Sequence, residues 1–152
     1  AIAMTVNLVF RLARPEGEGV LMSLRSIRGL FLVAALYDGI LGIAFLFAAP
    51  ALFEWVGVTP PNHFGYVHFP AALLIVFALM FWMIARDPLA NRSLIRYGVL
   101  LKASYCGVAF YHWFTAGIPY IWKPFAIVDL VFLVLFMWAY SVLKKQAAER
   151  YA

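Results

Sequence analysis

Residues 29–49 read GLFLVAALYDGILGIAFLFAA, and this stretch contains a single charged residue, Asp38. An α-helix needs about 20 mainly apolar residues to cross the ~30 Å hydrocarbon core of a bilayer. Lipid offers no hydrogen-bond partners to exposed backbone groups, so a segment of this kind crosses the membrane as a helix. The stretch therefore predicts a transmembrane helix that ends by Pro50.

Three further segments are similarly long and mainly apolar, at residues 67–85, 94–114 and 124–143. Hydrophobic residues make up 66% of the chain and charged residues 12%. Soluble domains average about 45–50% and about 25%, respectively. A soluble fold of 152 residues could not bury so much apolar surface, so the composition indicates an integral membrane protein.

The connections between these segments are short, at residues 50–66, 86–93 and 115–123. Short connections make consecutive helices antiparallel neighbours. We therefore predict an all-α membrane protein with a four-transmembrane-helix, up-down-up-down bundle. The bundle is expected to occupy residues 27–143, between an N-terminal segment (1–26) and a C-terminal tail (144–152).

Basic residues are distributed unevenly about the four segments. Ten lie on one side of the predicted bundle: Arg11, Arg14, Arg25, Arg28, Arg86, Arg92, Arg96, Lys144, Lys145 and Arg150. The opposite side has only Lys123. Because Lys and Arg accumulate in cytoplasmic loops, both termini are predicted to be cytoplasmic, in the inner membrane of a bacterium. The net charge of +5 then indicates contact with anionic lipid and not with nucleic acid.

The N-terminal segment lacks the features of a further span. The apolar run at residues 1–10 is too short to cross a bilayer, and no cleavage site follows it, so we predict no signal peptide. The sequence MTVNLVFRLARP (residues 4–15) is basic and amphipathic, and it is expected to lie along the membrane interface. Residues 16–19, which read EGEG, are expected to form a flexible link.

Three charged residues fall deep inside the predicted spans, away from the span ends: Asp38, Lys102 and Asp129. Each costs about 3 kcal/mol or more in a membrane unless it is compensated. With a rise of 1.5 Å per residue, their depths from the cytoplasmic end are ~14, ~12 and ~21 Å. Lys102 can therefore reach both carboxylates, and we expect a buried Asp–Lys–Asp network.

Tyr37, Ser104 and Tyr105 are near enough in sequence to support this network. One interpretation is structural, in which the charges fix the pairing and register of the helices. The other is functional, in which they form a proton relay or the polar floor of a pocket for a quinone or lipid.

All three histidines, His63, His68 and His112, fall near the opposite, outer end of the predicted bundle, together with Glu54. Imidazole and carboxylate groups are suitable ligands for zinc, copper or iron. A metal or haem site is therefore one hypothesis. The other is that these side chains bind lipid headgroups or loop carbonyl groups.

Close helix packing is predicted at two small-xxx-small patterns, Ala35–Gly39 and Ala103–Gly107. In the 86–93 connection, Asp87-Pro88 is expected to end one helix, and Asn91 or Ser93 is expected to cap the next. The single cysteine, Cys106, can form no disulfide within one chain.

Three stretches resemble the small bacterial four-helix membrane proteins of the DoxX-like kind. They are YDGILGIAFLFAAP (residues 37–50), DPLANRSLIRYGVLLK (87–102) and IVDLVFLVLFMWAY (127–140). The resemblance covers most of residues 27–143 and implies a small accessory or redox-associated membrane subunit.

The sequence contains no phosphate-binding loop, nucleophile elbow or paired-cysteine motif. The leading hypothesis is therefore a non-catalytic subunit that packs against other membrane subunits or against a second copy. A rival hypothesis is a redox or ligand-binding component that uses the outer histidines or the pocket beside Lys102. A third is a proton-coupled transporter formed by several copies.

Overall fold

The computed structural model describes residues 16–151, and these are largely helical with no β-strand. Four long helices dominate the fold, and a short helix follows the first of them. The helices are α1 (Glu16–Phe47), α2 (Ala49–Trp55), α3 (Gly65–Arg86), α4 (Ile95–Thr115) and α5 (Trp122–Tyr151). A single 3-10 turn, Arg92–Leu94, precedes α4.

The helix boundaries differ from the predicted spans mainly at the ends of the chain. Helix α1 begins at Glu16, so the flexible link predicted at residues 16–19 is wrong. The local cost of two glycines, about 1 kcal/mol each, does not prevent the helix from extending this far. The predicted interfacial segment 4–15 and the statement about a signal peptide lie outside the described residues.

The predicted loop at residues 50–66 contains helix α2. Pro50 lies in the first turn of this helix, where its missing N–H group would have had no helical partner in any case. The apolar run of α1 thus stops at Phe47, and the chain bends into a second, short helix. Gly57 then has a φ of 65°, a left-handed conformation that glycine adopts without strain.

Three helical segments of the described chain are long and apolar enough to cross a membrane: Ser23–Phe47, Gly65–Arg86 and Trp122–Glu149. The protein is therefore a membrane protein by the length and composition of its helices. Helix α4 is not among the three, because Arg96, Lys102 and His112 lower the hydropathy of its 21 residues.

The long helices pack mainly as two antiparallel pairs, α1 with α3 and α4 with α5. A Cβ atom on Gly39 would lie 3.5 Å from the Cβ atom of Ala78, and one on Gly42 would lie 2.8 Å from the carbonyl oxygen of Ala71. The partner residue number falls as the α1 number rises, so α1 and α3 run in opposite directions. The α1 pattern of small residues therefore lies at a close helix contact.

The second small-residue pattern makes no such contact. Ala103 is exposed, and a Cβ atom added to Gly107 would meet nothing within 4 Å. Close packing at this pattern does not occur within the described chain, because Ala103 and Gly107 lie on the outer face of α4. The buried face of α4 contains Gly98, Lys102 and Cys106 instead.

A packed apolar core fills the half of the bundle that contains the 87–94 turn. At its centre lie three fully buried rings, Phe31, Phe81 and Phe136, which we call the aromatic layer. Their centroids are 4.7 Å (Phe31–Phe136), 5.0 Å (Phe81–Phe136) and 5.9 Å (Phe31–Phe81) apart. A Cβ atom on Gly98 would lie 2.6 Å from a Phe81 ring carbon, so α4 approaches this layer closely.

The 87–94 turn is held by Asn91 in a way that differs from the predicted cap. The Asn91 side-chain amide donates to the carbonyl oxygens of Met83 and Asp87, each at 3.0 Å. No side-chain cap is present at the start of the 3-10 turn or of α4. Asn91 therefore satisfies carbonyl groups at the end of α3, and the prediction that Asn91 or Ser93 caps the next helix is wrong.

Candidate functional site

Lys102 lies between Asp38 and Asp129 in the middle of the bundle, and we call these three residues the charge cluster. Its Nζ atom donates to Asp38 Oδ1 at 2.7 Å and to Asp129 Oδ1 at 3.0 Å. Asp38 and Lys102 are each 1% exposed, and Asp129 is 7% exposed. The structure thus brings together the three ionisable residues that the depth count placed near one another.

The cluster joins the two helix pairs of the bundle. Asp38 belongs to α1 of the first pair, whereas Lys102 and Asp129 belong to α4 and α5 of the second. The Asp38–Lys102 bond spans 64 residues of sequence. Because α3 and α4 share few contacts, this ion pair is a principal polar connection between the pairs.

Aromatic rings complete the surroundings of the lysine. Its Nζ atom lies 5.3 Å from the centroid of Tyr37 and 5.4 Å from that of Phe132. A ring face within about 6 Å attracts a cation. Two carboxylates and two ring faces therefore compensate the ammonium group for its loss of water.

The cluster contains one more negative group than positive groups when all three residues are ionised. The second carboxylate oxygen of Asp38, Oδ2, is buried and has no hydrogen-bond partner among the residues that the structure describes. A buried carboxylate oxygen without a donor is costly. The ammonium group of Lys102 is thus fully compensated, whereas Asp38 is compensated at Oδ1 only.

A cavity of about 390 Å³ opens directly beside the cluster. Asp38 and Asp129 contribute to one end of its wall, and apolar and aromatic side chains form most of the remainder. Its residues come from all five helices: Tyr37, Asp38, Leu41, Phe45, Phe53, Tyr66, Val67, Pro70, Ala71, Leu73, Leu74, Phe77, Leu101, Tyr105, Trp122, Phe125 and Asp129. The cavity lies on the opposite side of the charge cluster from the aromatic layer.

A smaller cavity of about 110 Å³ adjoins the first near helix α2. Phe45, Phe53 and Trp122 line both cavities. The smaller cavity reaches Trp55, a side chain that is largely exposed. The open half of the bundle therefore extends from the charge cluster toward the end that contains α2.

The residues expected to support the cluster take different positions. Tyr37 and Tyr105 both line the large cavity, so they share a site with the two carboxylates. Ser104 is exposed and takes no part in the site. The aromatic wall of the cavity, which includes Phe45, Phe53, Trp122 and Phe125, was not predicted from the sequence. Its only sequence signal is the density of aromatic residues in these segments.

The three histidines do not converge on one site. His63 Nδ1 accepts the Gly65 N–H at 3.0 Å, His68 stacks on Phe64, and His112 lies edge-on to Tyr111. Within the part of the chain that the structure describes, no group of three or more His, Cys, Asp or Glu residues is placed to hold a metal ion. The charge cluster and the cavity beside it do not include His63, His68, His112 or Glu54.

Cys106 is buried next to the cluster, one turn along α4 from Lys102. Its Sγ atom lies 3.7 Å from the carbonyl oxygen of Ala126. This contact joins α4 to α5 at the same level as the cavity. The geometry is that of a packed thiol that supports the helix pair.

Comparison of the chain with models of protein families, with curated proteins and with solved structures finds no match. The resemblance to DoxX-like proteins therefore stays a prediction. The charge cluster and the cavity beside it are the features from which a function is inferred.

Proposed function

We propose that this protein binds a small hydrophobic ligand from the bilayer in the cavity beside Asp38, Lys102 and Asp129. The cavity volume of about 390 Å³ is the observation that carries the proposal. Ligand pockets in proteins typically measure about 300–1,000 Å³ and combine apolar walls with a few polar groups. This cavity has that composition, and its polar groups are the costly residues of the membrane interior.

The large cavity also reaches the side of the bundle. Tyr66, Pro70 and Leu73 line it and are exposed on α3. A ligand dissolved in the hydrocarbon can therefore reach the cavity laterally, without crossing an aqueous loop. This access favours a hydrophobic molecule over a soluble metabolite.

The cavity changes the order of the sequence-based hypotheses. A fully packed core beside Lys102 would favour a structural subunit whose charges only set helix register. An open volume at the same place favours the ligand-binding hypothesis, because empty apolar space forfeits van der Waals contacts that a bound molecule restores. Assembly with other membrane subunits is compatible with ligand binding and stays a prediction.

We further propose that α4 is a fourth span and that both termini are cytoplasmic. The 21 residues of α4 extend ~32 Å at 1.5 Å per residue, enough for a bilayer core. Its charged Lys102 is compensated by Asp38 and Asp129. Arg25 and Arg28 in the first part of α1 lie at the same end of the antiparallel bundle as the 87–94 turn and the end of α5, where the other described basic residues of this group are found. This distribution supports the orientation.

Cysteine substitutions of two alanines in the connections on either side of α4 test this arrangement. In a Cys106→Ala background, Ala90→Cys and Ala116→Cys each place one thiol at an exposed position. We expect a membrane-impermeant maleimide to label Ala116→Cys in right-side-out vesicles and Ala90→Cys in inverted vesicles. Labelling of both thiols in the same vesicles would show that α4 does not span, and the reversed pattern would contradict the orientation.

Ligand binding is tested by filling the large cavity from α3. Val67 lines it, whereas Val76, on the same helix, is 60% exposed. Trp122, which also lines the cavity, serves as the fluorescent reporter once the other four tryptophans are replaced by Phe. In maltoside detergent, bromophenylhexanol is expected to quench Trp122 saturably.

The variant Val67→Phe is expected to weaken the affinity for the probe, measured by this quenching, about tenfold, or ~1.4 kcal/mol. The reason is that the added ring occupies volume that the probe needs. The matched control Val76→Phe is expected to leave it unchanged. Non-saturable quenching, or equal effects of the two variants, would mean that the cavity does not bind the probe and would contradict the proposed function.

A further inference from the structure

We propose that the ligand is a hydrophobic organic amine, bound in its protonated form with the ammonium group beside Asp38. This inference rests on the proposed function and specifies the chemical class of the ligand. It is carried by the unpartnered Asp38 oxygen, by the negative balance of the charge cluster, and by the aromatic wall that faces it.

The position of Asp38 supplies the first argument. The residue is 1% exposed, it lines the large cavity, and its Oδ2 atom has no hydrogen-bond partner among the described residues. Lys102 occupies the other oxygen, Oδ1. A donor that enters the cavity can bind Oδ2 without displacing the lysine, and a positively charged donor makes the stronger hydrogen bond.

The charge balance supplies the second argument. Asp38 and Asp129 share the single ammonium group of Lys102. One further positive charge would make the site neutral and would remove the cost of an excess buried carboxylate. A carboxylate or phosphate ligand would instead add repulsion at this position, so the site selects against anionic lipids and fatty acids.

The aromatic wall supplies the third argument. Phe45 and Trp122 lie 5.6 Å apart between ring centroids, and Trp122 and Phe125 lie 6.0 Å apart. Phe45 lies seven residues from Asp38 on α1, or ~10 Å along the helix, so these rings pack against the apolar carbon atoms of a ligand whose ammonium group lies beside Asp38. The wall therefore suits an ammonium ion that carries an aliphatic or aromatic body, and it is poorly suited to a hydrated metal ion.

A matched pair of probes tests the inference. Bromophenylhexylamine and bromophenylhexanol differ only in the group that would lie beside Asp38, and both quench Trp122 when bound. In the single-tryptophan protein in maltoside detergent, the amine is expected to bind at least about tenfold more tightly than the alcohol. The variant Asp38→Asn is expected to remove this preference, whereas Glu54→Gln, a change at an exposed carboxylate, is expected to retain it.

The outcomes separate the two proposals. Equal affinity for the amine and the alcohol in the single-tryptophan protein with Asp38 unchanged would overturn the amine assignment and leave the proposed function intact. Saturable binding of neither probe would overturn both. Retention of the preference in Asp38→Asn would overturn the assignment to Asp38. The wild-type ratio requires no substitution at Asp38, so the assignment to an amine stays testable if Asp38→Asn fails to fold.

Discussion

Replacement of Lys102 by Met is expected to destabilise the folded protein by about 3–5 kcal/mol, because it leaves two buried carboxylates without a cation. The side chain is fully buried and bonds to both Asp38 and Asp129. The loss also removes the polar connection between the two helix pairs. Reversible unfolding in mixed detergent, followed by circular dichroism, measures the change.

The partner carboxylates provide the decisive comparison. The triple variant Lys102→Met, Asp38→Asn, Asp129→Asn contains no buried charge, and it is expected to recover most of the lost stability. Lys144→Met, at an exposed position near the end of α5, is the matched control and is expected to change stability by less than about 0.5 kcal/mol. A Lys102→Met protein as stable as this control would show that the bonds from Lys102 to Asp38 and Asp129 do not contribute to the stability of the fold.

Replacement of Gly42 by Leu is expected to cost about 3 kcal/mol, at the upper end of the range for overpacking. A Cβ atom at this position would lie 2.8 Å from the Ala71 carbonyl oxygen and 2.8 Å from Ile75 Cγ1. The first of these atoms belongs to the backbone of α3, so relief requires the two helices to separate. Thermal unfolding in detergent is the appropriate measurement.

Gly107 is the matched control for this substitution. It also lies within a long helix, but a Cβ atom there would meet nothing within 4 Å. Gly107→Leu is expected to be neutral or slightly stabilising, because a helical glycine costs about 1 kcal/mol relative to a residue of higher helix propensity. Equal destabilisation by Leu at both positions would show that the α1–α3 contact is not unusually close.

The position of a residue along the membrane normal follows from sequence, whereas its lateral position does not. Counting residues from the predicted helix ends placed Asp38 level with Lys102, and in the structure their atoms lie 2.7 Å apart. The same count placed His63, His68 and His112 near one end of the bundle. Residues at the same end of the bundle can still lie far apart laterally. In the structure, each of the three histidines contacts a different residue.

The faces of the helices were equally hard to predict, since apolar residues surround each one. Ala35–Gly39 and Ala103–Gly107 have the same spacing, yet one lies at a close contact and the other on the outer face. The cavity could not be predicted from the sequence for a related reason. Its volume depends on how far apart the helices pack, and no local pattern records a distance between helices.

The aromatic layer also limits the paths by which a molecule could pass through the bundle. Phe31, Phe81 and Phe136 close the bundle on one side of the charge cluster, while the other side is open toward α2 and the flank of α3. The large cavity is thus closed at the end beside the aromatic layer and open only toward α2 and the flank of α3 among the residues that the structure describes. If the proposed function is correct, a bound ligand enters and leaves through the same opening, and passage from one end of the bundle to the other within one chain would require these three rings to separate.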